Sequence, residues 1–572
     1  MSPSSTRGAR VRAGAVLAAM TAACVITVIP SSSASTGYGP AKPLGTNATT
    51  NGSLGPSTFL GAETRGQIIG RARDWIQQGV MYSDTQNSDG SGDWNYWSDS
   101  QTGGPYRQDC SGFVSMAWGL GSSQASFTID ASPYSTITDS NITSDKNIDD
   151  GDALDYHNDH IVLFDHWTDT SGHFAYDAEH TQGEVTDQRT SSVYGSSLEG
   201  YALSDFEALQ RSSVVAPSLA DGTFVDVIET GQVYRIAGGA PIYVSSWANV
   251  GGSQPYTYIT QAQLNALPQV PADGTALEGY NGGVYIVAGG APIHVHSFSD
   301  VPDIHARVIV DQSAIDDAGS GGVYNHLSAT PADGTALLGD GPGGGVYIVA
   351  GGAPIHVHSF SDVPHISANR VTVDQWTLTN AGSTAEDTHL RATPADGTAL
   401  LGDGSGGGVY IVAGGAPIHV HSFSDVPDIS PNRVYVDQWS ITNAGSTTED
   451  THLSATPADG TALLGDGPGG GVYIVAGGAP IYVSSFSNVP DIGPRTYVDE
   501  WTLDNAGTTA EDTHLSMYPA DNTMLRGETT GNIYQIESGY PTQVTGYTGT
   551  SVGVDQNAIT NAGTGAGYNH LR

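Results

Sequence analysis

Two apolar patterns divide the chain. Between residues 61 and 215 the apolar positions change period from one segment to the next. Phe113, Val114, Ala117 and Trp118 fall on one helical face, so a buried helix is predicted with Asp109-Cys110-Ser111-Gly112 at its start. After the polar turn Gly151 to Asp159, the run His160-Ile161-Val162-Leu163-Phe164 reads as a strand, and Phe174 to Glu179 as a second one whose alternation puts Asp177 and Glu179 on one face. From about Ser218 to Arg572 one pattern recurs six times. Val-Tyr-Ile-Val and Ile-His-Val are short β-rich runs around Ala-Gly-Gly-Ala-Pro, a hairpin turn because paired glycines accept positive φ. The copies begin at Val233, Val284, Val346, Val409, Val472 and Ile533. Thr398-Ala399-Leu400-Leu401 shows a further strand ahead of the hairpin, and Val436 to Gly445 a strand entering one helical turn stopped by glycine. The expected architecture is an α+β domain followed by six tandem all-β repeats of about 50–63 residues, 218–572, closed as in a propeller or strung as an open array.

Ahead of these regions, residues 1–34 combine Arg7, Arg10 and Arg12, an apolar stretch from Ala13 to Ile29 and Pro30 to Ala34, the three parts of a secretory signal peptide. Residues 35–60, rich in Ser, Thr, Gly, Asn and Pro, read as a flexible linker. A secreted location, extracellular or at the cell wall, is therefore expected. No later segment is apolar for long enough to span a bilayer as a helix. The formal charge of -40, with only two lysines in 572 residues, speaks against nucleic-acid binding.

Of two cysteines, Cys24 lies in the signal segment, leaving Cys110 alone in the mature chain. A lone thiol in an oxidising compartment has no internal disulfide partner, and at a helix start the dipole and free amides favour the thiolate and can hold an oxyanion. Cys110 is the expected nucleophile. The base is expected from a rigid element, and His160 opens the apolar strand; His157 lies in the polar turn and His166 beyond the run. Either Asp177 or Glu179 can orient the imidazole, with His173 and His180 flanking the same strand.

These stretches resemble the NlpC-type cell-wall endopeptidases, a papain-like family that cleaves peptidoglycan stem peptides. The resemblance covers roughly 60 to 215: Ile68 to Trp75 is similar to the leading helix, Gly79-Val80-Met81-Tyr82 to the GxxY segment, Asp109 to Val114 to the nucleophile motif, and Gly151-Asp152 with His160 to Phe164 to the histidine strand. It implies Cys110 as nucleophile, His160 as base, Tyr82 near the oxyanion, and Asp109 and Ser111 at the substrate end. No cofactor or metal is implied. The family's third catalytic residue lies about a dozen residues past the base; here a longer loop, His166 to Gly172, moves the expected position to Glu179, with Asp177 as alternate. The insertion Ser83 to Gly104 contains Asp89-Gly90-Ser91-Gly92-Asp93 but lacks the ligand spacing of an EF-hand loop. The implied activity is hydrolysis of stem-peptide bonds, with the repeats anchoring the enzyme to wall glycan. A CHAP-like amidase and a non-catalytic lectin-like protein are the alternatives.

In the repeats, His294 and His296, His356 and His358, and His419 and His421 occupy alternate positions, but units one and five carry Tyr243 and Ser245, or Tyr482 and Ser484, instead. Stacked solvent-facing rings are expected there rather than zinc ligands. His326, His389, His452, His514 and His570, each before leucine, read as structural, and Trp247, Phe298, Phe360, Phe423, Phe486 and Tyr547 as core anchors.

Overall fold

The computed structural model describes residues 49–50, 60–83, 95–99 and 103–572, apart from short breaks of which 424–431 is the longest. The signal segment, most of the linker and the Asp89 to Asp93 loop lie outside the described residues.

The N-terminal unit is built on a six-stranded antiparallel sheet. Its strands are β1 (Ser135–Asp139), β2 (Ala153–Tyr156), β3 (His160–Trp167), β4 (His173–Ala178), β5 (Asp187–Ser192) and β6 (Glu207–Arg211), in the order β1-β6-β2-β3-β4-β5. Helices α1 (Arg65–Gln78) and α2 (Cys110–Ala117) cover one face. Strand alternation sends Ile161 and Leu163 to that side, where they meet Ile68, Trp75, Phe113 and Val114. Val162 and Phe164 point the other way, into a second core with Phe174, Tyr176, Leu203 and Phe206. Because both faces of β3 are covered, its sequence is a continuous apolar run rather than an alternating one.

Each of the six repeats is a separate four-stranded sheet. In the fourth, Ala399–Asp403 pairs with Val409–Ala413, which returns through Gly414 and Gly415 (φ 55° and 81°) to Ala416–His419. The chain then crosses to the far edge, where Arg433–Asp437 runs parallel to the first strand, Leu400 opposite Val434. A parallel partner needs a crossover of about a dozen residues, and residues 420–432 supply that length. The strand leads directly into the helical turn Gln438–Thr442.

Cores lie between repeats rather than within them. Ile348, Ile355 and Val357 of the third sheet pack against Leu400, Tyr410, Val412 and Val436 of the fourth, and the same faces meet at each following joint. Among the described residues no cluster joins the sixth sheet to the first, and the last sheet carries exposed Arg526, Glu537 and Tyr540. The array is therefore open, and the propeller alternative is not what the repeats form: successive faces stack, and a polar outer face ends the stack.

One aspartate ties each joint. Asp437 Oδ1 accepts from the Trp439 amide as the helix N-cap (2.8 Å), while Oδ2 accepts from the His358 amide of the preceding unit (2.7 Å). The His358 ring stacks on Trp439 at 4.2 Å. His296 on Trp376 and His421 on Trp501 repeat the arrangement. Where the next unit has Ser313 or Asn557 in place of tryptophan, the preceding unit supplies Ser245 or Ser484, whose hydroxyl donates to Asp311 or Asp555. This matching accounts for the departures in units one and five. The second histidine set is structural as expected: His389, His452 and His514 use Nδ1 to bond carbonyls of Ala329, Ala392 and Ala455 one unit earlier. The phenyl rings are not core anchors. Phe298, Phe360, Phe423 and Phe486 are about half exposed, and each lies under a guanidinium, that of Arg307, Arg370, Arg433 or Arg495.

The first repeat packs on the N-terminal unit. Tyr258 lies over Gly66 and Gly70 of α1, and Ile228 adds to the helix-side core. No helix among the described residues is long and apolar enough to cross a membrane.

Candidate active site

Cys110 is the first residue of α2, held there by Asp109, whose Oδ1 accepts from the Gly112 amide at 2.6 Å. Arg107 fixes this cap: its Nε donates to Asp109 Oδ2 (2.7 Å) and its Nη2 to Ser111 Oγ (2.8 Å). Gly112 is required by close approach, since a Cβ there would lie 2.1 Å from the Arg107 carbonyl oxygen. Asp109 and Ser111 are thus buried members of a capping network. Tyr82 lies in a segment beside the approach to the helix: the Ser83 amide donates to the Gln108 carbonyl (2.7 Å) and Gln108 Nε2 to the Met81 carbonyl (3.0 Å).

The helix start points the thiol at the opening end of β3, where the Ile161 amide donates toward it. His160 is the preceding residue, and the ring of Tyr201 stacks on it at 5.8 Å. The thiolate would raise the Tyr201 phenol, after burial and Asp159.

Burial dominates the electrostatics. Cys110 is 8% exposed, and desolvation, reinforced by Asp109, pushes its thiol up to about 12. Desolvation pushes His160 down to about 4, against the attraction of Glu199 and with the repulsion of His180. Both groups rest neutral, and the imidazole Nε2 is buried without a hydrogen-bond partner. The readily ionised thiol expected from the helix dipole is therefore corrected: at this depth desolvation outweighs the dipole.

The groups acting on His160 are Glu199 and His180, not the two carboxylates expected from the sequence. Asp177 pairs with Leu163 across β3 and β4, accepts from Gln188 Nε2 at 3.1 Å, and stands well above the ordinary carboxylate range through burial and the neighbouring Asp165. Glu179 accepts from Thr186 Oγ1 at 2.8 Å and is pushed up to about 8 by burial. Alternation sends Glu179 to the face of Ile161, and His180 to the face of His160. His180 is held from two sides, with Nε2 2.5 Å from Asp187 Oδ1 and Nδ1 3.0 Å from Glu199 Oε2, the latter an ion-pair contact off the hydrogen-bonding direction. Burial alone would lower the pKa of His180, but the two carboxylates raise it. Glu199 also accepts from the Tyr176 hydroxyl and is drawn down to about 2 against its burial.

The other histidines lie elsewhere. His157 pairs with Asp130 at 2.8 Å, His166 with Asp165, and exposed His173 with Asp169 at 2.6 Å. Glu199 and Tyr201 were not found by sequence reasoning. Glu199 opens the two-residue turn Glu199-Gly200 and Tyr201 follows it, some forty residues past the base, and no motif marks them.

Comparison of the chain with protein-family models, with curated proteins and with solved structures returns no match.

Proposed function

We propose that the protein is a secreted cysteine hydrolase of papain-like type that cleaves peptide bonds in peptidoglycan stem peptides, held at the wall by its repeats. The observation that carries this reading is a thiol at a helix start directed at the amide that follows a neutral, buried imidazole, with Glu199 and His180 acting on that imidazole. Cys110 attacks the scissile carbonyl as His160 takes the thiol proton in the same step, since the two groups rest neutral. The imidazolium so formed is stabilised by Glu199 and then protonates the leaving amine. Amides at the start of α2 face the oxyanion, with Tyr82 beside them. Water hydrolyses the thioester with His160 again as base. The half-exposed phenyl rings, one per central repeat and each with one face under an arginine, form a repeated aromatic and cationic surface that supports an anchoring role.

The test is mass spectrometry of muropeptides released from purified peptidoglycan. Wild-type protein is expected to yield fragments cut within the stem, and Cys110→Ala none, with its unfolding midpoint within a few degrees of wild type. Release of free lactyl-sugar ends instead would mark an amidase, and activity in Cys110→Ala would remove the thiol mechanism.

A further inference from the structure

A second polar cluster lies outside the Cys110 and His160 set. On β2, Asp155 stands opposite Glu207 of β6 in register, and His157 follows two residues later on the same side. Asp130, at the end of the short helix Ser126–Ile129, closes the group with its carboxylate 2.8 Å from His157 Nδ1. One donor atom from each of the four lies within 4.8 Å of the others. Like charges directly opposite across a strand pair repel.

Asp155 makes the cluster more than an acidic patch. Its side chain is fully buried, and neither carboxylate oxygen has a hydrogen-bond partner. A buried carboxylate without partners is costly by several kcal/mol. The charged groups acting on Asp155 are Glu207 and Asp130, both of its own sign. One proton relieves one carboxylate, whereas a divalent cation relieves all three.

We propose that Asp130, Asp155, His157 and Glu207 bind one divalent transition-metal ion of the zinc type. The imidazole donor favours zinc over calcium or magnesium, which take oxygen donors, and four mixed nitrogen and oxygen ligands suit zinc's tetrahedral coordination. Asp155 is the register partner of Ile161, so the ion fastens the turn that carries His160 to β6 and to the short helix. Its role is to hold the end of the sheet that carries the candidate base.

The experiment titrates zinc chloride into the full chain after chelator treatment and dialysis, by calorimetry, with thermal unfolding in parallel. Wild type is expected to bind one ion at micromolar concentration or below and to unfold at higher temperature when loaded. His157→Ala, at an exposed position where folding is not at stake, and Glu207→Gln are each expected to weaken that event at least tenfold. Absence of stoichiometric binding to wild type overturns the site. Binding unchanged in both variants also overturns it, because the zinc would then sit elsewhere, such as on the repeat histidines.

Discussion

In the N-terminal unit Asp155, Asp177, Glu179 and His160 are buried with at least one polar atom lacking a hydrogen bond, whereas in the repeats each joint aspartate is buried and saturated. Asp437 uses one oxygen to cap its own helix and the other to hold the preceding unit, and Asp374 and Asp499 do the same. Unsatisfied buried groups are destabilising and persist where they serve chemistry or bind something, while saturated ones hold structure together. The contrast marks the joint aspartates as assembly residues and does not extend to the whole repeat region, where Gln312 Oε1 and His570 Nε2 are also buried without partners. The cores of the two regions also lie differently, within one sheet and its helices in the N-terminal unit and between neighbours in the repeats.

The largest effect is expected from ending the chain after Leu515. This removes the sixth sheet and leaves Ile474, Ile481, Val483 and Val489 without cover. Light scattering should show association, while in-register deletion of residues 395–457 should leave a soluble, shorter array because the rejoined faces are equivalent. Equal solubility of the two would break the distinction between capping and interior units.

Next comes Glu199→Gln, expected to lower kcat by about a hundredfold with little change in KM, because it removes the charge that stabilises the His160 imidazolium. Asp177→Asn and Glu179→Gln should cost less, since neither group acts on His160. A larger loss at Glu179 would return the positioning role to that carboxylate.

At a joint, Asp437→Ala should destabilise the array by roughly 1–2 kcal/mol through the lost cap and the lost acceptor for the His358 amide, read as a lower urea midpoint. Asp437→Asn should fall between the two, because its side-chain oxygen can still cap.

A separate effect concerns pH. Glu179, held at about 8 against an ordinary 4.5, contributes stability that is fully present below about pH 4.5 and lost as the pH rises through 8. Urea midpoints of the wild type should therefore decline between pH 5 and 9 more steeply than those of Glu179→Gln. Parallel slopes would show that the proton is not held there.

Period and turn chemistry alone determined the elements. The helical spacing of Phe113, Val114, Ala117 and Trp118, the apolar run after His160 and the Gly-Gly hairpins are local signals, and each became the helix, strand or turn they encode. The same residues made Cys110 and His160 legible as candidates, because a helix start and a strand start are local positions. What depends on pairing across long loops was decided by the tertiary structure: the parallel fourth strand of each repeat, the histidine–tryptophan match between successive units, and the open rather than closed array. The third position beside His160 belongs to the same class. One residue along β4 separates Glu179 from His180 and reverses the face, and the β-bulge between Phe164 and His166 shifts the pairing that sets which residue comes level with His160. Glu199, Tyr201 and the opposed pair Asp155 and Glu207 come together only because the strands and turns that carry them, far apart in sequence, close onto one end of a single sheet.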